Sequence, residues 1–423
     1  MFRSFSAGLL LILLVAGCAG TTRTAKRDNF AQMYGPGGAA LELDARVHHV
    51  TTEHSILYFK LNTRDLLYKS DGTGGPFRAM VRLTYETYTD WSARTLIDSA
   101  STLLQDRSTD TAGDKELIGS MEIHRKDDRS FVLKVTARDL NRESQNSVFI
   151  RVERDPEGTR QYFLPIDPTT SAPLFTDHFE PGQDLELKSE VLAGRTLQGT
   201  YRVSDGSLPM PVFTTAGNAK RSLEADSIFE VPFNEEGNAM LQLHRPGTYH
   251  LGTDSTGSGY TLFVLDQAFP YVGTHADMLR PLRYITSMQE FDRISTAEDL
   301  RSAIERFWLD AAGDRDRARE AIRIFYARVE NANRHFTSHV EGWRTDRGLV
   351  HIIFGTPNTI YKSDLTETWI YGEENNLMSL TFNFTRRTGA FTDNDLVLER
   401  DPMLKGAWYR NVESWRNGRV YQN

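Results

Sequence analysis

The hydrophobic rhythm of this chain turns from period two to helical spacing about two thirds of the way along. Apolar residues recur every second position as far as about residue 266, and at helical spacing from about residue 295. Leu57, Phe59 and Leu61 alternate, as do Val81, Leu83 and Tyr85, with Arg82, Thr84 and Glu86 between them. Phe131, Leu133 and Val135 repeat the pattern, and 148–152 adds another run. Period two buries one face of a strand and wets the other. Turn clusters such as Asp71-Gly72-Thr73-Gly74-Gly75 and Lys126-Asp127-Asp128 separate the runs. Short strands punctuated in this way predict an immunoglobulin-like β-sandwich over 39–155. Asp155-Pro156-Glu157-Gly158 reads as a boundary. The runs at 185–188, 200–203, 228–233, 240–243 and 260–265 then predict a second sandwich over 158–266. No internal repeat is evident beyond two β regions of similar size.

Past that point the spacing is helical. Ser295-Thr296-Ala297-Glu298 has the form of a capping box. Leu300, Ile304, Phe307 and Trp308 follow on one face, and Gly313 ends the run. A second helix carries Ile322, Phe325, Val329, Ala332 and Phe336, with Arg and Glu on its outer face. The run 349–354 reads as a strand, Gly355-Thr356-Pro357 as a turn, and 367–371 and 377–385 as two more strands. Helices followed by a small antiparallel sheet predict an α+β domain over 270–423. The fold expected is therefore multidomain, with two mainly-β domains ahead of an α+β domain.

Several ordered motifs lie in the last third. They are the Phe307-Trp308 helix, the 326–336 helix, Gly342-Trp343-x-Thr345-Asp346-Arg347-Gly348, Phe354-Gly355-x-Pro357 and Glu367-x-Trp369-x-Tyr371. Together they resemble the GWxTD domain, a family of bacterial envelope proteins best known from Bacteroidetes. The resemblance implies a sequence signature and no particular reaction. A strand, a Gly-x-Pro turn and a Trp-x-Tyr strand are also similar to small lipoproteins of outer-membrane barrel-assembly machinery. Turn chemistry accounts for each residue type in the signature, so it is expected to be a fold element or a partner-binding surface. Gly342 and Gly348 are expected to supply backbone angles that other residues resist. Trp343 suits a helix–sheet junction. Thr345 and Asp346 can accept from backbone N–H groups. Arg347 can pair with Asp346 or Glu341, or approach an aromatic face.

The chain starts Met1-Phe2-Arg3, has an apolar run over 7–16, and reaches Val15-Ala16-Gly17-Cys18. A basic start, a short apolar core and small residues before a cut site predict a signal peptide over 1–17. The run is too short to span a bilayer. Val-Ala-Gly-Cys resembles a lipobox, which implies lipid attachment at Cys18 and residence in the cell envelope, at the outer membrane. The polar stretch 18–38 then reads as a flexible tether. Cys18 is the sole cysteine, so disulfides, thiol catalysis and cysteine metal sites are excluded once it is lipidated. A net charge of −8 argues against nucleic acid as a partner.

Catalytic signals are sparse. His335 and His339 stand four apart at a helix end, a spacing that suits zinc, with Asp346 and His351 as further ligand candidates. The glutamate of H-E-x-x-H is missing, because Phe336 follows His335. There is no G-x-S-x-G, P-loop or dinucleotide fingerprint. No catalytic residue, metal or cofactor is assigned. The expectation is a non-catalytic accessory or scaffold subunit, with two β modules lifting the C-terminal domain off the membrane toward an envelope protein partner. The alternatives are a surface carbohydrate- or peptide-binding module using Tyr85, Tyr88, Trp91 or Trp415, and a metal-dependent hydrolase centred on His335, His339 and Asp346.

Overall fold

The period-two stretches form strands, as their alternation requires. A computed structural model describes residues 28–35, 41–70, 72, 76–93, 95–109, 114–123, 129–153, 159–204, 206–215, 224–252, 259–265, 268–387 and 392–419. Cys18, the export segment and the turns expected at 126–128 and 155–158 lie outside these residues.

The first unit has seven strands: β1 (Leu43–His49), β2 (Ser55–Asn62), β3 (Phe77–Tyr88), β4 (Leu96–Ser108), β5 (Glu116–Ile123), β6 (Phe131–Asp139) and β7 (Gln145–Val152). They make two antiparallel sheets, ordered β1-β2-β5 and β4-β3-β6-β7. Leu57, Phe59 and Leu61 of one sheet share a core with Val81, Leu83, Leu133 and Val135 of the other. The alternating sets found in the sequence are these inward faces.

The second unit contains β8 (Leu164–Ile166), β9 (His178–Phe179), β10 (Gln183–Lys188), β11 (Thr196–Arg202), β12 (Ser227–Pro232), β13 (Asn238–Leu243), β14 (Gly247–Leu251) and β15 (Tyr260–Val264). Its sheets are β8-β10-β13 and β12-β11-β14-β15-β9, with β9 parallel to β15. Without β9, the strand order repeats that of the first unit: first-second-fifth against fourth-third-sixth-seventh. The two β regions are thus one topology used twice, a repeat that the residues themselves do not display.

The C-terminal unit runs through α1 (His275–Leu279), α2 (Met288–Ser295), α3 (Leu300–Ala312), α4 (Arg315–Phe336) and α5 (Asp346–Phe354). An antiparallel sheet follows, ordered β16 (Thr359–Lys362), β17 (Thr366–Tyr371), β18 (Leu380–Arg386) and β19 (Leu396–Leu398). Helix α6 (Lys405–Arg416) closes the unit. One core joins Trp308, Phe325 and Phe336 of the helices to Trp369, Phe382 and Phe384 of the sheet and to Trp415 of α6.

Four expectations need correction. Residues 349–354 are helix, not strand. Leu349, Val350, His351, Ile352, Ile353 and Phe354 are buried on all sides, and a continuous apolar run carries no periodicity to distinguish the two. The local signals settle it: Thr345 caps the start, and Gly355 ends the helix at φ 87°. The box at Ser295–Glu298 is not a cap, because Asp299 holds that position and accepts from the Ser302 amide. The working boxes are Thr274 with Asp277 and Ser287 with Glu290. Tyr85 and Trp415 are buried, and so offer no surface for sugar stacking.

The fourth correction concerns the tether. Its residues 28–35 are built into the C-terminal unit. The Phe30 amide donates to the Ile360 carbonyl at 2.9 Å, extending the edge of β16. The Asn29 side chain donates to the Asn358 carbonyl at 2.8 Å and accepts from the Ile360 amide at 3.0 Å. A short 3₁₀ turn, Ala31–Tyr34, then buries Ala31 and Tyr34. Phe30 packs edge-on against Trp91 and Phe149 of the first unit, with ring centroids 5.6 and 5.1 Å apart. Apolar surface removed from water outweighs the polar composition that suggested a free linker.

Candidate functional site

The signature is a corner that takes the chain from α4 to α5. Thr337, at the end of α4, accepts from the Gly342 amide at 2.8 Å, and Asn333 accepts from the Trp343 amide at 3.1 Å. A 3₁₀ turn, Gly342–Arg344, leads into the cap. The Thr345 hydroxyl donates to the Gly342 carbonyl at 2.8 Å and accepts from the Gly348 amide at 3.0 Å. The two glycines are needed for closeness and not for unusual φ. A Cβ on Gly342 would stand 1.8 Å from the Ala332 carbonyl oxygen, and one on Gly348 1.9 Å from the Gly342 carbonyl oxygen. Trp343 is buried against Tyr284, whose hydroxyl donates to the Trp343 carbonyl at 2.8 Å.

Asp346 accepts from the Leu398 amide at 2.8 Å and pairs with Arg400 at 2.5 Å, so neither Glu341 nor Asp346 faces Arg347. Burial raises the Asp346 carboxyl, and Arg400 opposes the rise. Glu341 pairs instead with Arg344 at 2.7 Å. Arg347 turns inward. It meets Glu367 at 3.3 Å, donates to the Asn394 carbonyl at 2.9 Å and lies 5.0 Å over the Phe336 ring. Arg347 and Glu367 are each 1% exposed.

Glu367 is the hub. One oxygen accepts from the Trp369 indole at 2.7 Å. The other faces Arg347, Lys362 at 3.2 Å and the Tyr34 hydroxyl at 3.3 Å. Burial pushes this carboxyl up, but Lys362 and Arg347 outweigh it and hold it below the usual range. Gly355 and Pro357 form the turn into β16, and the Tyr371 hydroxyl fastens it by donating to the Gly355 carbonyl at 2.7 Å. Every signature residue is thus spent on holding the fold. Sequence reading overlooked Tyr34, Asn333, Thr337, Lys362, Asn394 and Arg400, which complete these bonds. None carries a local pattern that would have revealed it.

The histidines do not assemble. His339 lies 3.8 Å from Asp395, while His351 bonds Asn331 at 3.0 Å. Burial lowers His335 to about 4 and His351 to about 3, with neighbouring cations adding to both shifts. Among the described residues no group of three His, Cys, Asp or Glu could hold a metal ion.

Two larger openings lie near the corner. A cavity of about 340 Å³ lies where the three units meet. Its cations are matched: Arg151 by Asp364, Arg160 by Asp393, and Arg386 by Asp393 and Glu153. The second is a groove of about 1050 Å³ beside α6, walled by residues 208–213 and 283–287. Residues 208–213 belong to the β11–β12 connection. They are held to the C-terminal unit by the Arg400 guanidinium donating to the Met210 carbonyl and by the Asp401 backbone amide donating to the Val212 carbonyl, both at 3.1 Å.

The corner, with its signature, is the decisive feature, and the sequence model of one family covers it at residues 247–417. This region is a GWxTD domain. The match begins at β14, so it takes in the last two strands of the second β unit as well as the helices and sheet. No curated protein matches the chain. Among solved structures, a calcium-binding mutant of Bacteroides uniformis beta-glucuronidase 2 is 14% identical, over 26% of this chain and 13% of that one, at a TM-score of 0.17. The calcium-binding region CBD12 of CALX1.2 is 15% identical, over 56% of this chain and 85% of that one, at a TM-score of 0.13. Scores this low establish no common fold.

Proposed function

We propose that this protein is a non-catalytic lipoprotein of the cell envelope, and that its GWxTD domain is the part held at the membrane and offered to a protein partner. The observation that carries the reading is the strap at 28–35. Residue 28 follows Cys18 by ten positions, which span at most about 35 Å of extended chain. Lipid attached at Cys18 would therefore keep the GWxTD domain close to the bilayer. The β modules would project outward, the reverse of the arrangement expected from the sequence. Two or more acyl chains suffice for stable anchoring without a spanning helix. No described helix is long and apolar enough to cross a membrane. The repeated order of strands supports reading both β units as immunoglobulin-type sandwiches that act as spacers. The burial of the signature and its bonds to the chain's own residues support a structural role for it, with partner contacts made elsewhere on the domain.

Cell fractionation tests the anchor. Wild-type protein should pellet with membranes and incorporate an alkyne-tagged fatty acid. Cys18→Ala should lose the label and move to the soluble fraction. Membrane retention of Cys18→Ala without label would overturn the reading.

A further inference from the structure

The groove beside α6 has a composition that selects a ligand. Its floor is apolar, with Leu208, Phe213, Trp408 and Tyr409 among the lining residues. Tyr409 is 54% exposed and Leu208 36%. Its rim is basic. Arg283, Arg410 and Arg419 line it with no carboxylate partner among the described residues, while Glu413 is the one acid there. Arg416 is already engaged by Glu290 at 2.7 Å. On a chain with a net charge of −8, a basic rim around the exposed Tyr409 ring and the half-buried Phe213 ring departs from the average surface.

We propose that this groove binds an extended acidic segment of a partner protein, with apolar side chains seated on Tyr409 and Phe213 and carboxylates facing Arg410 and Arg419. Helix α6 has 12 residues and so is about 18 Å long, which matches roughly five residues of extended peptide. Aromatic and arginine side chains are the groups that most often dominate such contacts. Rim charges steer the approach and select against basic segments. The proposal deepens the partner-binding part of the function above and rests on it.

The test uses the full chain in detergent and labelled ten-residue peptides read by fluorescence anisotropy. A peptide alternating glutamate with leucine and phenylalanine should bind saturably. Replacing its glutamates with lysine, or its apolar residues with serine, should weaken binding at least tenfold. Tyr409→Ala should weaken it similarly. The double change Arg410→Glu with Arg419→Glu should shift preference to the lysine peptide. These side chains are exposed, so unchanged melting would confirm that the variants fold. Absence of saturable binding overturns the proposal, as does binding indifferent to all three substitutions. Two other occupants would also overturn it. One is a second copy, seen as a dimer in sedimentation that Tyr409→Ala dissolves. The other is the chain's own end, seen as peptide binding only after residues 420–423 are deleted. Membrane retention of the same variants keeps the anchor separate: a labelled, membrane-bound protein that binds no peptide refutes only the groove.

Discussion

Glu367→Gln should unfold the GWxTD domain far more readily than its small change in volume suggests. The carboxylate accepts from Trp369, Arg347, Lys362 and Tyr34, and it is the anion that compensates two buried cations. An amide keeps one acceptor oxygen and turns an N–H₂ group toward donors. Removing one member of a buried ion pair costs about 3–5 kcal/mol, because the remaining charge is left uncompensated. For a unit of this size that corresponds to a fall in Tm of roughly 6–20 °C. Intrinsic fluorescence reads this unit almost alone, since five of the six tryptophans, all but Trp91, lie in it. A second change, Lys362→Met, should recover part of the loss on the Glu367→Gln background while destabilising the wild type. The pH dependence has a defined sign. Glu367 is held below its unfolded value, so its contribution is complete above that value, about 4.3, and is lost as pH falls toward the folded one. Glu367→Gln should flatten that acid limb. A melting shift under 2 °C, or an unchanged acid limb, would refute the assignment of Glu367 as the hub.

Gly348→Ala places a methyl 1.9 Å from a backbone oxygen, where no rotamer can relieve it, and should cost about 3 kcal/mol; urea denaturation followed by fluorescence measures this. Phe30→Ala should cost about 3–5 kcal/mol and release the strap, seen as new protease cleavage within 28–35 while the sheet below stays intact. His335 and His351 are kept neutral, at about 4 and about 3, by burial and nearby cations. The unfolded chain takes up protons first as pH drops below about 6.5, so stability should fall between pH 6.5 and 4 by up to about 1.4 kcal/mol per unit for each histidine. Substituting His351 with asparagine should reduce that slope, as read from melting at successive pH values.

What was legible in the sequence was what repeats locally. Leu57-Phe59-Leu61 and Val81-Leu83-Tyr85 announced their strands because half of each is buried and half is wet. Strand β4 escaped notice because it lies at a sheet edge, where Ser99, Ser101 and Thr102 are as acceptable as apolar residues. Strand β14 escaped because all five of its residues are buried although Gly247, Thr248 and His250 are not apolar, so neither alternation nor an apolar run marks it. Helix α5 was misread because burial on all sides leaves it no periodicity either. The signature was found but its reasons were not. The glycines answer to Ala332 and to Gly342 itself, contacts that spacing cannot disclose. The buried hub draws on Tyr34, Lys362 and Glu367, and Tyr34 lies 333 residues away from Glu367. Residues that meet only after folding leave no local trace.

The strap changes what an anchor at Cys18 would do. A free linker would let the domain swing and carry no load into it. Here the chain passes from position 28 straight into the edge of β16, and Tyr34 delivers its hydroxyl to the same carboxylate that neutralises Arg347 of the signature. Phe30 meanwhile touches Trp91 and Phe149, so the strap wedges the first β unit against the GWxTD domain. Nearby, Arg46 pairs with Asp177 at 2.6 Å and joins the two β units, while Arg151 with Asp364 and Arg160 with Asp393 join each of them to the GWxTD domain. These charges are compensated within the seam, whereas Arg283, Arg410 and Arg419 beside α6 have no carboxylate partner among the described residues. The division of labour that we propose rests on that contrast: the seam residues hold the units together and would tie in an anchor at Cys18, while the groove beside α6, with its unpaired arginines and the exposed Tyr409 ring, would receive the partner.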